Sequence, residues 1–405
     1  KELASLLGYD TFVDYQIERR MAGNLKNVTN FEYKLLEKIL PLAQKELEVM
    51  QEYKGVKTGD SSPIAYYEMA YLIDQYKKEH FDLDSKVVRE YFELNHVLKT
   101  LVKIVKKLFG VTLIVVKVPV LHEDVFVFEA STGSHTLGYI MVDLFPREGK
   151  YGHAMACEIR NGRQDKNGYI VPIYGLVCNF AKPTKDSPSI ISHGDVEALF
   201  HEFGHVLHAI SSSQPYVSLG GFQVAWDFVE VPSQFFEQWV WDKDIIKMLG
   251  KHYKTGKVIP DDLVGKMLSA KYFMGARFTM GQIVNGILDL DIHTKNIKNI
   301  PRHDVSIRQK YLGVSPSKKS LFPASFAHLI HGYEAGYYSY LWSLVYAKDL
   351  FSEFKKNGIL NSALGKKYRK TILEPGASMK EIDLMRAFLG REPSSDAFLE
   401  ELGIK

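Results

Sequence analysis

Near the middle of the chain, the segment Phe200–Ile210 (FHEFGHVLHAI) combines apolar residues with ionisable ones. Its apolar residues recur at helical spacing, which predicts a helix that is buried along one face. Burial of imidazole or carboxylate groups costs free energy unless a partner satisfies them. The fold must therefore bring a partner to the four polar residues that interrupt this helix, which are His201, Glu202, His205 and His208.

Two of these histidines have the spacing of a metal site. His201 and His205 are four residues apart, so both imidazoles project from one face of the helix. Glu202 follows the first of them, as in the H-E-x-x-H signature of zinc peptidases, where the glutamate acts on a water molecule and is not a ligand. A chance match or a set of satisfied core histidines is the alternative. We favour the metal site because Ser192 and Asp195 predict a capped, otherwise apolar helix.

Other residues of this helix have more than one interpretation. Glu197 precedes His201 by four residues and could hydrogen-bond its free ring nitrogen, as metal-bound histidines require; it could equally be a solvated residue of the first turn. We interpret His208 as a packing residue or as a residue that supports the site, rather than as a ligand. Gly204 costs about 1 kcal/mol in a helix interior, which predicts that another element packs closely against it.

A catalytic zinc ion needs a third protein ligand and an open position. The third histidine of a metzincin is absent after the motif, which excludes that class. The segment Trp226–Trp241 (WDFVEVPSQFFEQWVW) offers carboxylates instead, and Asp227 with Glu230 form a D-x-x-E helix start. We predict Glu230 as the third ligand, with Glu237 as the alternative and Asp227 as a residue supporting the site.

The periodicity of the chain predicts a mainly α protein with a small, mostly antiparallel sheet beside the H-E-x-x-H helix. Four β-rich runs follow a helical first third, and Pro172 in the last of them suggests an edge strand. The runs are Val111–Pro119, Asp124–Ala130, Thr136–Phe145 and Tyr169–Phe180. We expect one compact unit with three segments: a helical scaffold (1–110), the sheet (111–180) and a helical zinc-binding segment (181–405).

Composition limits the possible partners and compartments. The 405 residues carry a net charge of +3, which gives no indication of a nucleic-acid surface. There is no apolar run long enough for a membrane span. Two cysteines outside any C-x-x-C motif favour a reducing compartment. We expect a cytoplasmic monomer, with a mitochondrial or other organelle lumen as the alternative, and a fragment or processed form because the first residue is not Met.

Several stretches together resemble the thimet oligopeptidase family of zinc peptidases, almost from end to end and in order. They are HEFGHVLH, DFVEVPSQFFEQW, DLFPREGKYGHA, VCNFAKPT, HLIHGYEAGYYSYLWS and AFLGREP. The resemblance implies a zincin-type fold and one zinc ion held by His201, His205 and Glu230. It also implies that Glu202 is the general base.

The resemblance further implies that a glycine- and tyrosine-rich loop binds the substrate carbonyl and stabilises the tetrahedral intermediate. Its residues here are His328, Tyr333, Tyr337 and Tyr340. His331 departs from the family pattern, in which two adjacent glycines are usual. The chain corresponds to the C-terminal part of family members, so we expect it to lack the N-terminal helices that form much of the other wall of their substrate channel.

The resulting expectation is a zinc endopeptidase that hydrolyses internal bonds of short peptides. An inactive zinc- or peptide-binding remnant of a longer enzyme is the alternative. An aminopeptidase is disfavoured because its G-x-M-E-N signature is absent. An edge strand around Cys178, Asn179 and Phe180 is expected to pair with the extended substrate backbone.

Overall fold

The computed structural model describes residues 2–314 and 320–404. The prediction of a mainly α fold is confirmed. In chain order the helices are α1 (Glu2–Leu6), α2 (Phe12–Ile17), α3 (Leu25–Thr58), α4 (Met69–His80), α5 (Ser85–Arg89), α6 (Leu94–Phe109), α7 (His193–Ser211), α8 (Val231–Glu237), α9 (Lys243–Leu249), α10 (Asp261–Lys271), α11 (Gly275–Thr294), α12 (Ile300–Leu312), α13 (Phe322–Ser325), α14 (Ser339–Asn357), α15 (Ser362–Tyr368), α16 (Glu381–Leu389) and α17 (Asp396–Glu401). No helix within these ranges is long and apolar enough to cross a membrane.

The chain forms two compact units. Unit 1 comprises Lys1–Leu83, Lys266–Ser343 and Phe398–Lys405, and unit 2 comprises Asp84–Gly265 and Leu344–Ala397. In unit 1 the long helix α3 packs against α11, and α12 contacts both. Unit 2 contains the sheet and α7. The three segments expected from the sequence stay a prediction.

The strands are β1 (Thr112–Val116), β2 (Phe126–Thr132), β3 (His135–Asp143), β4 (Met155–Arg160), β5 (Arg163–Asp165), β6 (Gly168–Ile170) and β7 (Ile173–Val177). The main sheet has the order β1-β2-β3-β7-β4, and only the β3–β7 pairing is parallel. The sheet is therefore small and mostly antiparallel, as predicted.

The prediction of one edge strand over Tyr169–Phe180 is wrong. Pro172 interrupts this run, so that β6 pairs with β5 while β7 lies inside the main sheet between β3 and β4. A proline is tolerated beside this interior strand because it precedes the ladder and contributes only its carbonyl, which accepts from the Tyr139 N–H at 3.0 Å. The edge strands are β1 and β4.

Helix α7 begins as the sequence predicts. The Ser192 hydroxyl accepts from the Asp195 N–H at 3.1 Å, and the Asp195 carboxylate accepts from the Ser192 N–H at 2.8 Å, which completes a capping box. The helix contacts β3, β4 and β7 as well as α8. Almost all of its residues after the first turn are buried.

Gly204 lies where α8 comes closest to α7, which confirms the predicted close packing. A methyl group in place of its hydrogen would lie 2.7 Å from the Pro232 carbonyl oxygen and 2.7 Å from the Ser233 Cα. Both distances are below van der Waals contact, and backbone atoms cannot move aside as a flexible side chain can. Only glycine allows this approach, which brings the residues just before α8 to the motif helix.

We expect Gly204→Ala to lower the free energy of unfolding by about 1–3 kcal/mol, as overpacking does, although alanine favours a helix by about 1 kcal/mol over glycine. Gly265→Ala on α10 is the matched control, because no atom lies within 4 Å of its added methyl. It should leave stability unchanged or raise it. Urea unfolding of both variants measures the difference, and equal effects would contradict the close contact.

Candidate metal centre

Two helices bring the three predicted ligands together in unit 2. The Nε2 atoms of His201 and His205 lie 3.3 and 3.1 Å from the same carboxylate oxygen, Oε2 of Glu230. One ligand atom from each of the three residues lies within 4.8 Å of the other two. Across residues 2–314 and 320–404, this is the only such group of three or more histidine, cysteine or acidic side chains.

The chemistry of these donors fits zinc. Two imidazole nitrogens and one carboxylate oxygen are the ligand types of a catalytic zinc site that keeps a position open. The carboxylate ligand is also protected from water, since Glu230 is only 5% exposed. A buried carboxylate needs a partner of opposite charge, which a metal ion or a proton on the histidines can provide.

The site is strongly coupled electrostatically. Burial alone would raise the pKa of Glu230, but the charge of His205 and hydrogen bonds from both histidines hold that pKa well below its usual range. Burial alone would lower the pKa of His201, but hydrogen bonds to Glu230 and Glu237 raise it well above the usual value. Metal ions and protons thus compete for the same ring nitrogens.

The second ring nitrogen of His201 contacts Glu237 rather than Glu197. Its Nδ1 lies 2.5 Å from Oε1 of Glu237, the residue considered as an alternative ligand. Glu197, for which this contact was one of two interpretations, instead accepts from the Trp241 indole N–H at 2.6 Å. That interpretation of Glu197 is therefore corrected: Glu237 reaches the ring because α8 lies against α7 at Gly204.

Glu230 and Asp227 have different environments. Glu230 directly precedes α8, but its side chain makes no capping bond and points to the histidines, where the Ser233 hydroxyl also donates to it at 3.0 Å. The helix thus begins at Val231, later than the D-x-x-E pattern suggested. Asp227 is fully buried and its charge acts on Tyr346; its support of the metal site stays a prediction.

Glu202 lies on α7 between the two histidines and is 8% exposed. Burial raises its pKa, while the positive charges of His201 and His205 oppose this rise, and a backbone hydrogen bond from Ala156 on β4 also lowers the pKa. A carboxylate in this setting can take up and release a proton closer to neutral pH than an exposed glutamate can. His208 is fully buried outside the ligand group, as its packing interpretation requires.

In unit 1, the four residues expected to bind substrate form one ring cluster. The His328 ring centroid lies 5.5 Å from Tyr333, 5.3 Å from Tyr337 and 5.7 Å from Tyr340, and Tyr333 stacks on Tyr340 at 4.7 Å. His331 is exposed in the turn before Tyr333.

Two residues missed by the sequence analysis, Gln282 and Asn285, hydrogen-bond the Tyr337 hydroxyl at 2.9 and 3.4 Å. Both lie on α11, one helical turn apart. No local signal distinguishes them from other polar residues of that helix.

Comparisons with known proteins agree with this geometry. The family model of Peptidase family M3 matches residues 1–404. The chain belongs to peptidase family M3. The predicted resemblance to the thimet oligopeptidase family is thereby confirmed.

Three named relatives match the whole chain. Saccharolysin of Saccharomyces cerevisiae is 37% identical, oligopeptidase A of Escherichia coli 34% and a thimet-like oligopeptidase of Dictyostelium discoideum 33%, each over 100% of this chain. The chain spans 60%, 61% and 63% of their respective lengths. Other M3 relatives include proteins named as cytosolic and as chloroplastic or mitochondrial, so the compartment stays a prediction.

Solved structures support the fold alone. PZ peptidase A with an inhibitor covers 99% of this chain with a TM-score of 0.58 at 15% identity, and the chain covers 62% of that protein. A carboxypeptidase from Pyrococcus furiosus gives a TM-score of 0.57 at 15% identity, with 99% and 71% coverage. The zincin-type fold expected of an M3 chain is thus present.

Part of the backbone of the predicted peptide-binding edge, Cys178–Phe180, is hydrogen-bonded within the chain. Cys178 and Phe180 donate their N–H groups to the carbonyls of Asp143 and Leu144, and the Cys178 carbonyl accepts from Lys150. These backbone groups are therefore occupied. Asn179 donates its side-chain amide to the Tyr151 carbonyl at 3.0 Å. A role in substrate binding for the three side chains stays a prediction of the M3 resemblance.

We expect Glu230→Ala, His201→Ala and His205→Ala to abolish tight zinc binding, since each removes a ligand. Glu237→Gln should weaken binding by about 10–100-fold, as loss of a carboxylate that orients a metal-bound histidine does. Competition with a chromogenic chelator measures these affinities.

Glu197→Gln is the matched control and should bind zinc normally, because its carboxylate bonds Trp241. A loss with Glu197→Gln and none with Glu237→Gln would reverse the assignment of the two carboxylates. A loss with Glu237→Ala equal to that with Glu230→Ala would make Glu237 a ligand.

Proposed function

We propose that this M3 chain is part of a zinc-dependent endopeptidase that cleaves internal bonds of short peptides. The observation that carries the proposal is the convergence of His201, His205 and Glu230 with Glu202 beside them. Membership of family M3 and relatives named oligopeptidases support the peptide substrate.

The three ligands would hold one zinc ion. When bound, zinc supplies Lewis-acid chemistry, which polarises a carbonyl and lowers the pKa of a water molecule to about 7. Glu237 would keep the His201 ring in one orientation through its Nδ1 contact. The chain's own residues would then carry the proton transfers.

Glu202 is proposed as the general base. It would accept a proton from the water that attacks the scissile carbonyl and deliver it to the leaving amine as the C–N bond breaks. Its burial, which raises the pKa, suits both steps because the acid and base forms are then closer in free energy at neutral pH. A carboxylate at an exposed position would release its proton too readily to serve as the acid.

His328, Tyr333, Tyr337 and Tyr340 would bind the substrate carbonyl, as family membership implies. A tyrosine hydroxyl can donate to an oxyanion, where one such donor is worth about 3 kcal/mol. A tyrosine hydroxyl is protonated at neutral pH, and burial raises the pKa of Tyr337 further.

Strand β4 is our candidate for the edge that pairs with an extended substrate. It is an edge strand of the main sheet, and Ala156 within it already bonds Glu202. Main-chain pairing along such an edge tolerates many side chains, which suits an enzyme acting on varied short peptides. The alternative function is a zinc- or peptide-binding module without activity, which the presence of Glu202 disfavours.

We expect Glu202→Gln to retain zinc but to lower kcat by at least about a hundredfold, within the range for loss of a general base. A quenched fluorescent peptide blocked at both ends, with and without a chelator, measures the activity. Glu123→Gln, which changes an exposed carboxylate of unit 2, is the control and should keep full turnover. Normal turnover in Glu202→Gln would exclude it as the base, and no turnover in the unmodified protein would favour the binding module.

A further inference from the structure

A buried carboxylate holds the turn that precedes α14 in unit 1. Asp289 on α11 is fully buried and accepts three consecutive backbone N–H groups. Oδ1 accepts from Ala335 at 3.0 Å, and Oδ2 accepts from Gly336 at 2.7 Å and from Tyr337 at 2.9 Å. These residues lie between Tyr333 and Tyr340 of the ring cluster.

Arg20 also contacts this turn. Its guanidinium donates to the Ala335 carbonyl at 3.0 Å. A methyl group on Gly336 would lie 2.2 Å from Nη1 of Arg20, so only glycine leaves room for this contact. Ala335 has a φ of +54°, a left-handed conformation that costs a non-glycine residue free energy and persists only when its surroundings enforce it.

The arrangement of charge suggests that this contact has more than a packing role. Burying a carboxylate costs free energy unless its oxygens are fully satisfied. Asp289 also lies 3.0 Å from Nδ1 of His293, and a second acid, Glu32, is buried beside it. An uncharged side chain would fill this position at a lower cost in free energy if only packing were required.

We propose that Asp289 is a positioning residue: by fixing the N–H groups of residues 335–337 it orients the Tyr337 and Tyr340 side chains for binding of the substrate carbonyl. The inference rests on the proposed function, in which these tyrosines bind that carbonyl. Displacement of a binding group by about 1 Å can lower a rate by about a hundredfold, so a turn without regular secondary structure needs such a restraint.

Asparagine is the informative replacement. Asp289→Asn keeps the size of the side chain, but its NH₂ group must replace one of the two acceptor oxygens and face N–H donors. At least one of the three bonds is lost, and two are lost if the amide replaces Oδ2. Glu46→Gln is the matched control, since Glu46 is also a unit 1 carboxylate that accepts two backbone N–H groups, those of Ala276 and Arg277.

Three measurements on the zinc-loaded protein test the proposal. Asp289→Asn should lower kcat per bound zinc by about tenfold to a hundredfold, with KM and zinc content little changed. Deuterium uptake should rise in the segment 332–340. Asp289→Asn should add little to the loss caused by Tyr340→Phe, because both changes remove the same interaction. Glu46→Gln should leave all three readouts unchanged.

Other outcomes overturn the proposal. These are a normal kcat in Asp289→Asn, full additivity with Tyr340→Phe, or an equal response in Glu46→Gln. If Asp289→Asn does not fold, Arg20→Lys is the milder test: it should lower kcat and raise uptake in the same segment, and no change in either overturns the proposal. A dead Glu202→Gln with a normal Asp289→Asn would reject only this inference, whereas an active Glu202→Gln would reject the proposed function.

Discussion

The close contact between Gly204 and the backbone of Pro232 and Ser233 determines where the candidate metal ligands meet. Within α7 the spacing of His201 and His205 is fixed by the helix itself. Glu230 stands two residues before Pro232, so its distance from the histidines follows from how closely α8 approaches. A side chain at position 204 would leave two ligands in place and move the third away.

Helix α8 and the residue directly before it supply both carboxylates that contact His201. Glu230 and Glu237 are seven residues apart, which is close to two helical turns and places them on the same side. One lies at Nε2 and the other at Nδ1 of the same ring. A single helix–helix contact thus positions a ligand and also the residue that orients another ligand, so the geometry of the site depends on few independent elements.

Local patterns predicted what is local in this structure. The cap at Ser192, the helix bearing His201 and His205, and the close packing at Gly204 are all properties of a short segment. Glu197 has the spacing along α7 that allows contact with the His201 ring. Only tertiary packing decides that Glu237 reaches this ring instead. The interior position of β7 was missed for a related reason. Pro172 restricts the backbone only at its own position and does not show which strands lie on either side of β7.

Three acids, Asp289, Asp291 and Glu32, lie close together in unit 1, and the two aspartates have partners. Asp289 is satisfied by backbone N–H groups and His293, and Asp291 by His303 at 2.8 Å and by Lys295. Burial and these two negative charges raise the pKa of Glu32 well above its usual range. The raised pKa favours the protonated form of this third acid, which lies beside two carboxylates that have other partners. Protonation of Glu32 would lower its repulsion with Asp289, which accepts the three N–H groups of the turn.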